Sequence, residues 1–445
     1  MSVTGRLLAL ASLLLGLSTF ALSQKNDPEA TAALATASFD FAQKAPMNLK
    51  NFRSVRTVPQ GIVFDATTGA VISNGSGGNG PNNSSAVTIS TTPIASFDGA
   101  FVAQGGPNAG GLFPFTMLGG NPALGGTTTL AAKIAEFSLV LLNADGSVLT
   151  FVPFSPFEDA TLQSPNFAMA NYSSGQDIQF GDAVQRAEFF NTMGPSWHTN
   201  LQPSVVDREA IFVPRFVNVQ LSPGHVIQAR SYFVGTAADG NTFVLMLEPL
   251  FNFFFGSIGN FEISAGNFTS DAMNITLFPN TSLFALNANK PDTPGNCCVG
   301  GFHTFFFDPA TTPSTRWVTE FASWTSAGLF LGGVADVTGL SHETSEALND
   351  PFLNNITPIW QFPGVAPKTR ACQGDLETGD PVEVLPTSTF PVTLMVDGNL
   401  FTFHPQTEAL LQWFQMGPSS NAIDGAFSFP DESTLPNSAL PCPKN

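Results

Sequence analysis

The stretch LSHETSEALNDPF, residues 340–352, holds a histidine next to a glutamate, with a second glutamate close behind. Apolar side chains at 337, 340, 347 and 348, with the methyl group of Thr344, recur at helical spacing and predict a helix with one packed face. His342 and Glu346 are four residues apart, so both project from one stripe of that helix. An imidazole nitrogen and a carboxylate in this arrangement could hold one divalent ion, with Glu343 beside them. The plainer interpretation is an ordinary helix whose polar face is solvated.

A zinc peptidase helix with the pattern His-Glu-x-x-His places two metal ligands and a general base on the same helical face. In this chain Glu346 replaces the second histidine. A carboxylate is a harder, anionic ligand; it remains acceptable to Zn and favours Mn or Ca more than a second histidine would. His342 and Glu346 could therefore bind Zn, with Mn or Ca as alternatives, while Glu343 reaches a water bound to the metal.

A catalytic zinc site needs a third protein ligand, and the sequence offers several. Asp350, which precedes a proline and is therefore extended, could turn back to the metal or could bond the end of the helix. Glu377 and Asp380 lie in GDLETGDP, a predicted turn that Cys372 would anchor. His303, next to a pair of cysteines, is a further candidate.

Four cysteines in a protein expected to be exported favour disulfide bonds. Cys297 and Cys298 are adjacent, and a ring closed between neighbours is strained. The favoured pairings therefore join these two residues to Cys372 and Cys442, in either of two connectivities. A thiolate metal site is the weaker alternative, because no Cys-x-x-Cys spacing is present.

Residues 1–23 have the features of a signal peptide. Arg6 precedes the apolar run LLALASLLLGL, and the small residues Ala21 and Ser23 fit a cleavage before Gln24. The run is too short for a membrane span, and no other stretch is long enough. The sequence therefore predicts a secreted protein, extracellular or periplasmic.

The overall composition limits the class of partner and the class of fold. The chain has 16 Lys+Arg against 34 Asp+Glu, a formal net charge of -18, which argues against nucleic acid and membrane surfaces as partners. Its 43 phenylalanines, with 40 glycines and 34 prolines, favour many short strands and turns.

The chain divides by composition near residue 131. Residues 24–130 are rich in Ala, Gly, Asn and Ser and predict a flexible arm or propeptide with short strands, followed by one compact domain over 131–445 that includes the C-terminal tail. Two apolar runs around residues 143–146 predict a hairpin, and FGDAVQRAEFF predicts a helix capped by Asp182. TFVLMLEPLFNFFFG is interpreted as buried strands, because Glu248 and Pro249 interrupt it.

Several segments, in their order along residues 131–430, together resemble a family of secreted, largely uncharacterised bacterial proteins with a His-Glu-x-x-Glu-x-x-x-Asp-Pro motif. These segments are QFGDAVQRAEFF, CCVGGFH, LSHETSEALNDPF, LETGDP, TEALLQWF and AIDGAFSFPD. More distantly, GFH and SHETSEALNDP are similar to the plant phosphate-induced (EXORDIUM) family and to zincin metallopeptidases. The resemblance implies an α+β, zincin-like fold in which a helix with the metal ligands backs a mixed sheet. It also implies that RWVTEFASW, residues 316–324, is an edge strand able to hold an extended peptide by strand addition.

The expected function is that of a secreted metal-dependent hydrolase with a peptide or protein substrate. The metal would polarise the carbonyl group, and Glu343 would take a proton from the attacking water. His303 is our first expectation for the group that stabilises the oxyanion, with Tyr232 and Arg316 as alternatives. The competing interpretation is a non-catalytic extracellular or cell-wall-associated protein, EXORDIUM-like, in which the helix forms a structural or vestigial metal site.

Overall fold

The structure, a computed structural model, describes residues 27–36, 45–48, 62–66, 71–73, 92–172, 176–364 and 372–442. The predicted signal peptide lies outside these residues. The helices of the described part are α1 (Pro28–Thr36), α2 (Ser155–Leu162), α3 (Phe180–Glu188), α4 (Glu248–Ala265), α5 (Thr338–Asn349) and α6 (Leu411–Phe414). None of these helices is long and apolar enough to cross a lipid bilayer.

The strands are β1 (Met47–Asn48), β2 (Val63–Asp65), β3 (Val71–Ser73), β4 (Ser96–Val102), β5 (Leu112–Leu118), β6 (Thr127–Leu142), β7 (Val148–Val152), β8 (Ala170–Asn171), β9 (Asp177–Ile178), β10 (His198–Val213), β11 (Phe216–Ser222), β12 (His225–Arg230), β13 (Tyr232–Thr236), β14 (Thr242–Leu247), β15 (Ala272–Pro279), β16 (Thr281–Leu286), β17 (Pro294–Val299), β18 (Gly301–Asp308), β19 (Thr315–Trp324), β20 (Ile356–Gln361), β21 (Cys372–Asp375), β22 (Val392–Val396), β23 (Asn399–Phe403), β24 (Glu408–Ala409) and β25 (Ser428–Phe429).

The largest sheet has the order β1-β18-β19-β15-β6-β10, and β7 pairs with β6 as a hairpin. Neighbours from β19 to β10 run parallel, whereas β18 is antiparallel to β19. The predicted α+β, β-rich class and the mixed sheet are therefore confirmed. The β6–β7 hairpin, with its turn at 143–147, is confirmed as well.

The predicted edge strand is an interior strand. β19 lies between β18 and β15 and is hydrogen-bonded on both sides. Its residues are buried almost without interruption, as expected for a strand that is covered on both faces. The expectation that 316–324 could hold a peptide by strand addition is wrong, because its backbone groups are already paired within the sheet.

Successive side chains of a strand lie on opposite faces of the sheet, so they pack into two different cores. On β19, Trp317 and Phe321 join the core that contains α4, whereas Val318 and Ala322 join the core that contains α5. Phe251 of α4 lies over Phe321, with ring centroids 4.4 Å apart. The central sheet is thus sandwiched between α4 and α5.

The segment after Leu247 is a helix and not the predicted continuation of a strand. β14 ends at Leu247, and α4 begins with Glu248 and Pro249. Proline is favoured in the first turn of a helix, where its missing N–H has no intrahelical partner to lose. A helix buried on nearly every side lacks the amphipathic period, so its Phe-rich sequence did not reveal it.

The helix predicted over 337–348 is confirmed as α5, and the alternative interpretation, that its polar face is solvated, is wrong. Every residue from Thr338 to Asn349 is buried. Leu340, Ala347 and Leu348 pack against the sheet. The polar side chains of this helix therefore point into the protein, where they need partners.

The predicted helix in FGDAVQRAEFF is confirmed as α3, but Asp182 does not cap it. Gln179 occupies the N-cap position and makes no side-chain cap bond. Asp182 lies inside the helix and accepts hydrogen bonds from the backbone N–H of Thr199 at 2.9 Å and from Nδ1 of His198 at 2.7 Å. It therefore ties α3 to β10.

Parts of the predicted N-terminal arm contact the compact domain. β1 pairs with β18, and Asp27 forms an ion pair with Arg230 at 2.5 Å. The β4–β5 hairpin contributes Phe101 and Phe115 to a core that also contains Trp360. The boundary predicted at residue 131 falls within β6.

The disulfide pairing differs from both predicted connectivities. Cys297 pairs with Cys298, whose Cα lies 3.0 Å away across a cis peptide bond, and Cys372 pairs with Cys442 at a Cα–Cα distance of 5.9 Å. Cys297 and Cys298 lie in β17 beside β16. Cys372 lies in β21 beside β20, and the N–H of Cys442 bonds Ile359 of that same strand. Neither disulfide therefore joins the Cys297–Cys298 segment to Cys372 or Cys442.

Candidate metal centre

Three segments bring six predicted site residues together on the α5 side of the central sheet. β18 supplies one histidine, α5 supplies a histidine and two glutamates, and the loop after β21 supplies the other two carboxylates. These side chains, which we call the acid–histidine cluster, are between 0 and 5% exposed: His303, His342, Glu343, Glu346, Glu377 and Asp380.

Glu346 lies at the centre of the cluster. Its Oε2 atom is 3.1 Å from Nε2 of His342 and 3.3 Å from Nδ1 of His303. Oδ1 of Asp380 lies 3.8 Å from the same His342 nitrogen. Two groups share Glu346, one with His342 and Asp380 and one with His303 and Glu343; within each group the ligand atoms lie within 4.8 Å of one another.

His303 connects the helix to the loop after β21. Its Nδ1 atom is 3.6 Å from Oε2 of Glu343, and its Nε2 atom is 3.7 Å from Oε2 of Glu377. Neither oxygen of Glu343, nor Nε2 of His303, makes a hydrogen bond with any described residue. Buried polar atoms in native proteins rarely lack a partner, so these atoms point to a ligand.

The cluster fits a divalent cation by distance and by charge. Ligand atoms bound about 2.0–2.2 Å from a tetrahedral ion lie roughly 3.4 Å from one another. The nitrogen–oxygen distances in the group of His342, Glu346 and Asp380 include 3.1 and 3.8 Å, which lie on either side of that value. The cluster has more carboxylates than imidazoles, and buried carboxylates are costly unless a positive charge neutralises them.

A hydrogen-bonded chain fixes the tautomer of His342. The side-chain amide of Gln406 donates through Nε2 to the carbonyl oxygen of Gly379 at 2.7 Å, so its Oε1 atom must accept. That oxygen is 3.1 Å from Nδ1 of His342, which therefore carries the proton and donates it. Nε2 faces Glu346, and loss of its proton on metal binding would leave a free electron pair on that nitrogen, as a metal ligand requires.

Two further contacts orient the carboxylates. Oε1 of Glu346 accepts hydrogen bonds from the backbone N–H groups of Gly379 at 3.0 Å and Asp380 at 3.3 Å, which turns Oε2 toward the histidines. Oδ2 of Asp380 accepts a hydrogen bond from Gln373 at 2.7 Å. Gln373 follows Cys372, so the segment that holds Asp380 is anchored through the Cys372–Cys442 bond and not through the predicted bond to the Cys297–Cys298 pair.

Two glycines allow the segments to approach so closely. A Cβ atom at Gly301 would lie 2.6 Å from Oε1 of Glu343, and one at Gly379 would lie 2.7 Å from Cγ of His342. Any larger residue at either position would push a cluster side chain out of place.

Burial and the neighbouring charges separate the pKa values of the two helix glutamates. Burial raises the pKa of Glu343 to about 7, although the charge of His342 opposes this shift. Burial would also raise the pKa of Glu346, but the charge of His342 and the hydrogen bond with His303 hold it below its usual range. Glu346 is thus suited to remain an anionic ligand, and Glu343 to exchange a proton near neutral pH.

Sequence reasoning missed three residues around the cluster. Glu320 pairs with His303 across β18 and β19 and accepts a hydrogen bond from Thr344 at 3.0 Å. Glu408 is fully buried, and burial raises its pKa well above the usual value. The third is Gln406. A single glutamate inside the apolar run RWVTEFASW was one available signal, and Glu408 lies in TEALLQWF, one of the segments on which the family resemblance is based.

Three other candidates make different contacts. Asp350 accepts hydrogen bonds from the N–H groups of Asn354 and Asn355 at 3.0 and 3.2 Å, so it closes the loop after α5. The hydroxyl group of Tyr232 donates to the carbonyl oxygen of Leu142. The guanidinium group of Arg316 lies over the ring of Phe352.

Comparison of the chain with protein-family models, with curated proteins and with solved structures finds no match.

Proposed function

We propose that this protein is a metal-dependent hydrolase whose metal centre is formed by His342, Glu346 and Asp380. The observation that carries the proposal is the acid–histidine cluster itself, in which buried ligand groups from three segments stand at metal-ligand spacing. The mixed sheet backed by α5 is consistent with a zincin-like arrangement. Zn is the first candidate, with Mn or Ca as alternatives, and a peptide or protein is the proposed substrate.

The residues of the cluster would have different roles in hydrolysis. A divalent ion in this centre would supply Lewis-acid polarisation of the substrate carbonyl and would acidify water. Glu343, whose two oxygens make no hydrogen bond with the described part of the chain and whose pKa burial raises to about 7, would accept the proton of the attacking water. His303, 3.6 Å from Glu343, would donate a hydrogen bond to the oxyanion that develops.

A structural metal site is the second candidate. It is favoured by the burial of the cluster, since its most exposed member, Asp380, is only 5% exposed. In that case the ion would hold α5, β18 and the loop after β21 together, and the protein would be a non-catalytic extracellular one.

Metal content and turnover, measured together on the wild type and two variants, test both candidates. We expect the wild type to contain zinc or manganese, His342→Ala to lose it, and Glu343→Gln to retain it while hydrolysing a peptide library about 10²- to 10⁴-fold more slowly. Equal turnover in Glu343→Gln would contradict the role of the base. Equal metal content in His342→Ala would overturn the centre. Bound metal without turnover, together with a lower melting temperature for His342→Ala, would establish the structural site instead.

A further inference from the structure

The two ligand groups of the acid–histidine cluster meet at a single atom. Oε2 of Glu346 is 3.1 Å from Nε2 of His342 and 3.3 Å from Nδ1 of His303. The other oxygen of Glu346 accepts the backbone N–H groups of Gly379 and Asp380, so Oε2 is the oxygen that faces both histidines. Neither group contains both histidines. An ion bound by one group would therefore use only one of the two imidazoles.

An ion in the centre of His342, Glu346 and Asp380, which we call the first centre, leaves the other group without a ligand. Both oxygens of Glu343 lack a hydrogen-bond partner among the described residues, although its side chain is only 1% exposed. Oε2 of Glu343 is 3.6 Å from Nδ1 of His303, and that nitrogen is 3.3 Å from Oε2 of Glu346. Ligand atoms of a tetrahedral ion lie roughly 3.4 Å apart, so this group also has the spacing of a metal site.

The charges around this group favour a second cation. In the first centre, the two carboxylates of Glu346 and Asp380 would already balance the charge of one divalent ion. The buried carboxylate of Glu343 would then remain uncompensated, which is costly. Nε2 of His303, the ring nitrogen opposite the group, faces Oε2 of Glu377 at 3.7 Å. A carboxylate behind the ring is the usual support of a metal-binding imidazole.

We propose that the cluster binds a second divalent ion, held by His303, Glu343 and Glu346, with Oε2 of Glu346 shared between the two ions. Two ions bridged in this way lie about 3.5–4 Å apart. The second ion would bind more weakly than the first, because the charge of the first ion repels it. The first centre is also better ordered, since Gln406 orients His342 whereas neither oxygen of Glu343 is held by a described residue.

The second ion would regulate the hydrolase by its own concentration. It would occupy Glu343 and His303, to which we assign the roles of base and oxyanion donor. Turnover would therefore rise as the first equivalent of metal binds and fall as the second binds. This consequence rests on the proposed function, whereas the second site itself does not.

Titration of the metal-free full chain with Zn²⁺, followed by calorimetry, tests the stoichiometry. We expect the wild type to bind two equivalents, the second with a dissociation constant at least about tenfold higher. Glu343→Gln and His303→Gln should lose the second equivalent and retain the first, and retention of the first shows that each variant is folded. Asp98→Asn, which removes an exposed carboxyl group outside the cluster, should bind both equivalents as the wild type does.

Paramagnetic resonance of the protein loaded with Mn²⁺ tests whether the two ions are neighbours. Ions that share one carboxylate oxygen are magnetically coupled, so the hyperfine pattern of the first Mn²⁺ should be replaced as the second binds. A second ion elsewhere on the acidic surface would instead add a separate, uncoupled signal. A single equivalent at saturation, an uncoupled second ion, or a second equivalent retained in both variants would overturn the proposal.

Turnover measured along the same titration separates this inference from the proposed function. Two coupled ions without hydrolysis at any metal concentration would support the second site and contradict the hydrolase. Hydrolysis that reaches a plateau with a single bound equivalent would contradict the second site and leave the hydrolase standing. Hydrolysis that is undiminished when both coupled ions are bound would overturn the inhibitory role.

Discussion

The side chain of Gln406 and the backbone of Gly379 position the ring of His342. Gln406 fixes its tautomer, and the lack of a side chain at Gly379 leaves the space that it occupies. Both contacts act on Nδ1 and the atoms beside it, and so they set the direction of Nε2. Metal affinity should therefore depend on residues that do not themselves bind metal.

Replacement of Gly379 tests this dependence. In Gly379→Ala the new methyl group would overlap the His342 ring, so we expect metal affinity to fall about 10- to 100-fold. Gly374→Ala, a few residues earlier, is the matched control, since its methyl group would meet nothing closer than 3.6 Å. Competition with a chelating dye measures both affinities, and equal values would contradict the proposed positioning.

Glu262 of α4 should make stability fall as the pH rises. Burial raises its pKa from 4.5 to about 8, despite the hydrogen bond that it accepts from Asn267. The folded protein keeps the proton that the unfolded chain releases, so the stabilisation is full below pH 4.5 and is lost as the pH rises through about 8. One pKa unit corresponds to about 1.4 kcal/mol, so the effect is measurable.

Glu262→Gln should therefore lose less unfolding free energy than the wild type between those two pH values. Urea unfolding at a series of pH values measures the difference. Parallel pH profiles for the two proteins would show that Glu262 does not bind its proton more tightly in the fold.

Most of the cluster residues that the sequence predicted were marked by a spacing or a turn, and His303 was marked by the neighbouring cysteine pair. His342, Glu343 and Glu346 lie at helical spacing, and Glu377 and Asp380 lie in a turn. Gln406 is 64 positions from the histidine that it orients, and no local pattern connects the two. Contacts of this kind depend on the tertiary fold.

At the scale of elements, α5 is positioned by packing on α3 and on the sheet. Leu348 is fully buried in the core that contains α5, and it contacts Gly181 of α3. We expect Leu348→Ala to lower the free energy of unfolding by about 2–5 kcal/mol, because it leaves a cavity under the helix. Leu331→Ala, at a side chain 88% exposed, should change it by less than about 0.5 kcal/mol.

Urea denaturation of both variants gives these values directly. A loss for Leu348→Ala no larger than that for Leu331→Ala would mean that α5 is not held by this contact.

Periodicity predicted the helices whose apolar residues recur at helical spacing in the sequence, and it failed for α4, whose sequence is apolar on nearly every side. The β6–β7 hairpin, α3 and α5 were predicted, whereas α4 was interpreted as strands. The neighbours of a strand are not encoded locally either. β19 pairs with β15, whose sequence lies on the far side of β16, β17 and β18, so its interior position was not evident.

At the scale of the whole molecule, the two disulfides should contribute very differently to stability. Cys372 and Cys442 are 70 positions apart. In the chain-entropy account, closing a loop of that length lowers the entropy of the unfolded chain and so raises the free energy of unfolding by about 4 kcal/mol. Cys297 and Cys298 are neighbours, so their bond closes almost no loop. The double variant Cys372→Ala/Cys442→Ala should therefore have a much lower melting temperature than Cys297→Ala/Cys298→Ala.

Thermal unfolding of the two double variants at one pH provides the comparison. Equal decreases in melting temperature would contradict the argument from loop length.

The pairing of β1 with β18 has a consequence for biosynthesis. Thr304 donates a hydrogen bond to the carbonyl oxygen of Ala45 across 259 positions, so β1 cannot pair until β18, which is synthesised much later, is present. Contacts so distant in sequence slow folding, because a long loop must close before they form. A nascent chain that stops before residue 301 lacks β18 and β19, on which His303 and Glu320 lie. Synthesis must therefore pass β19, which ends at Trp324, before the central sheet can close, and the edge that β1 forms is completed late.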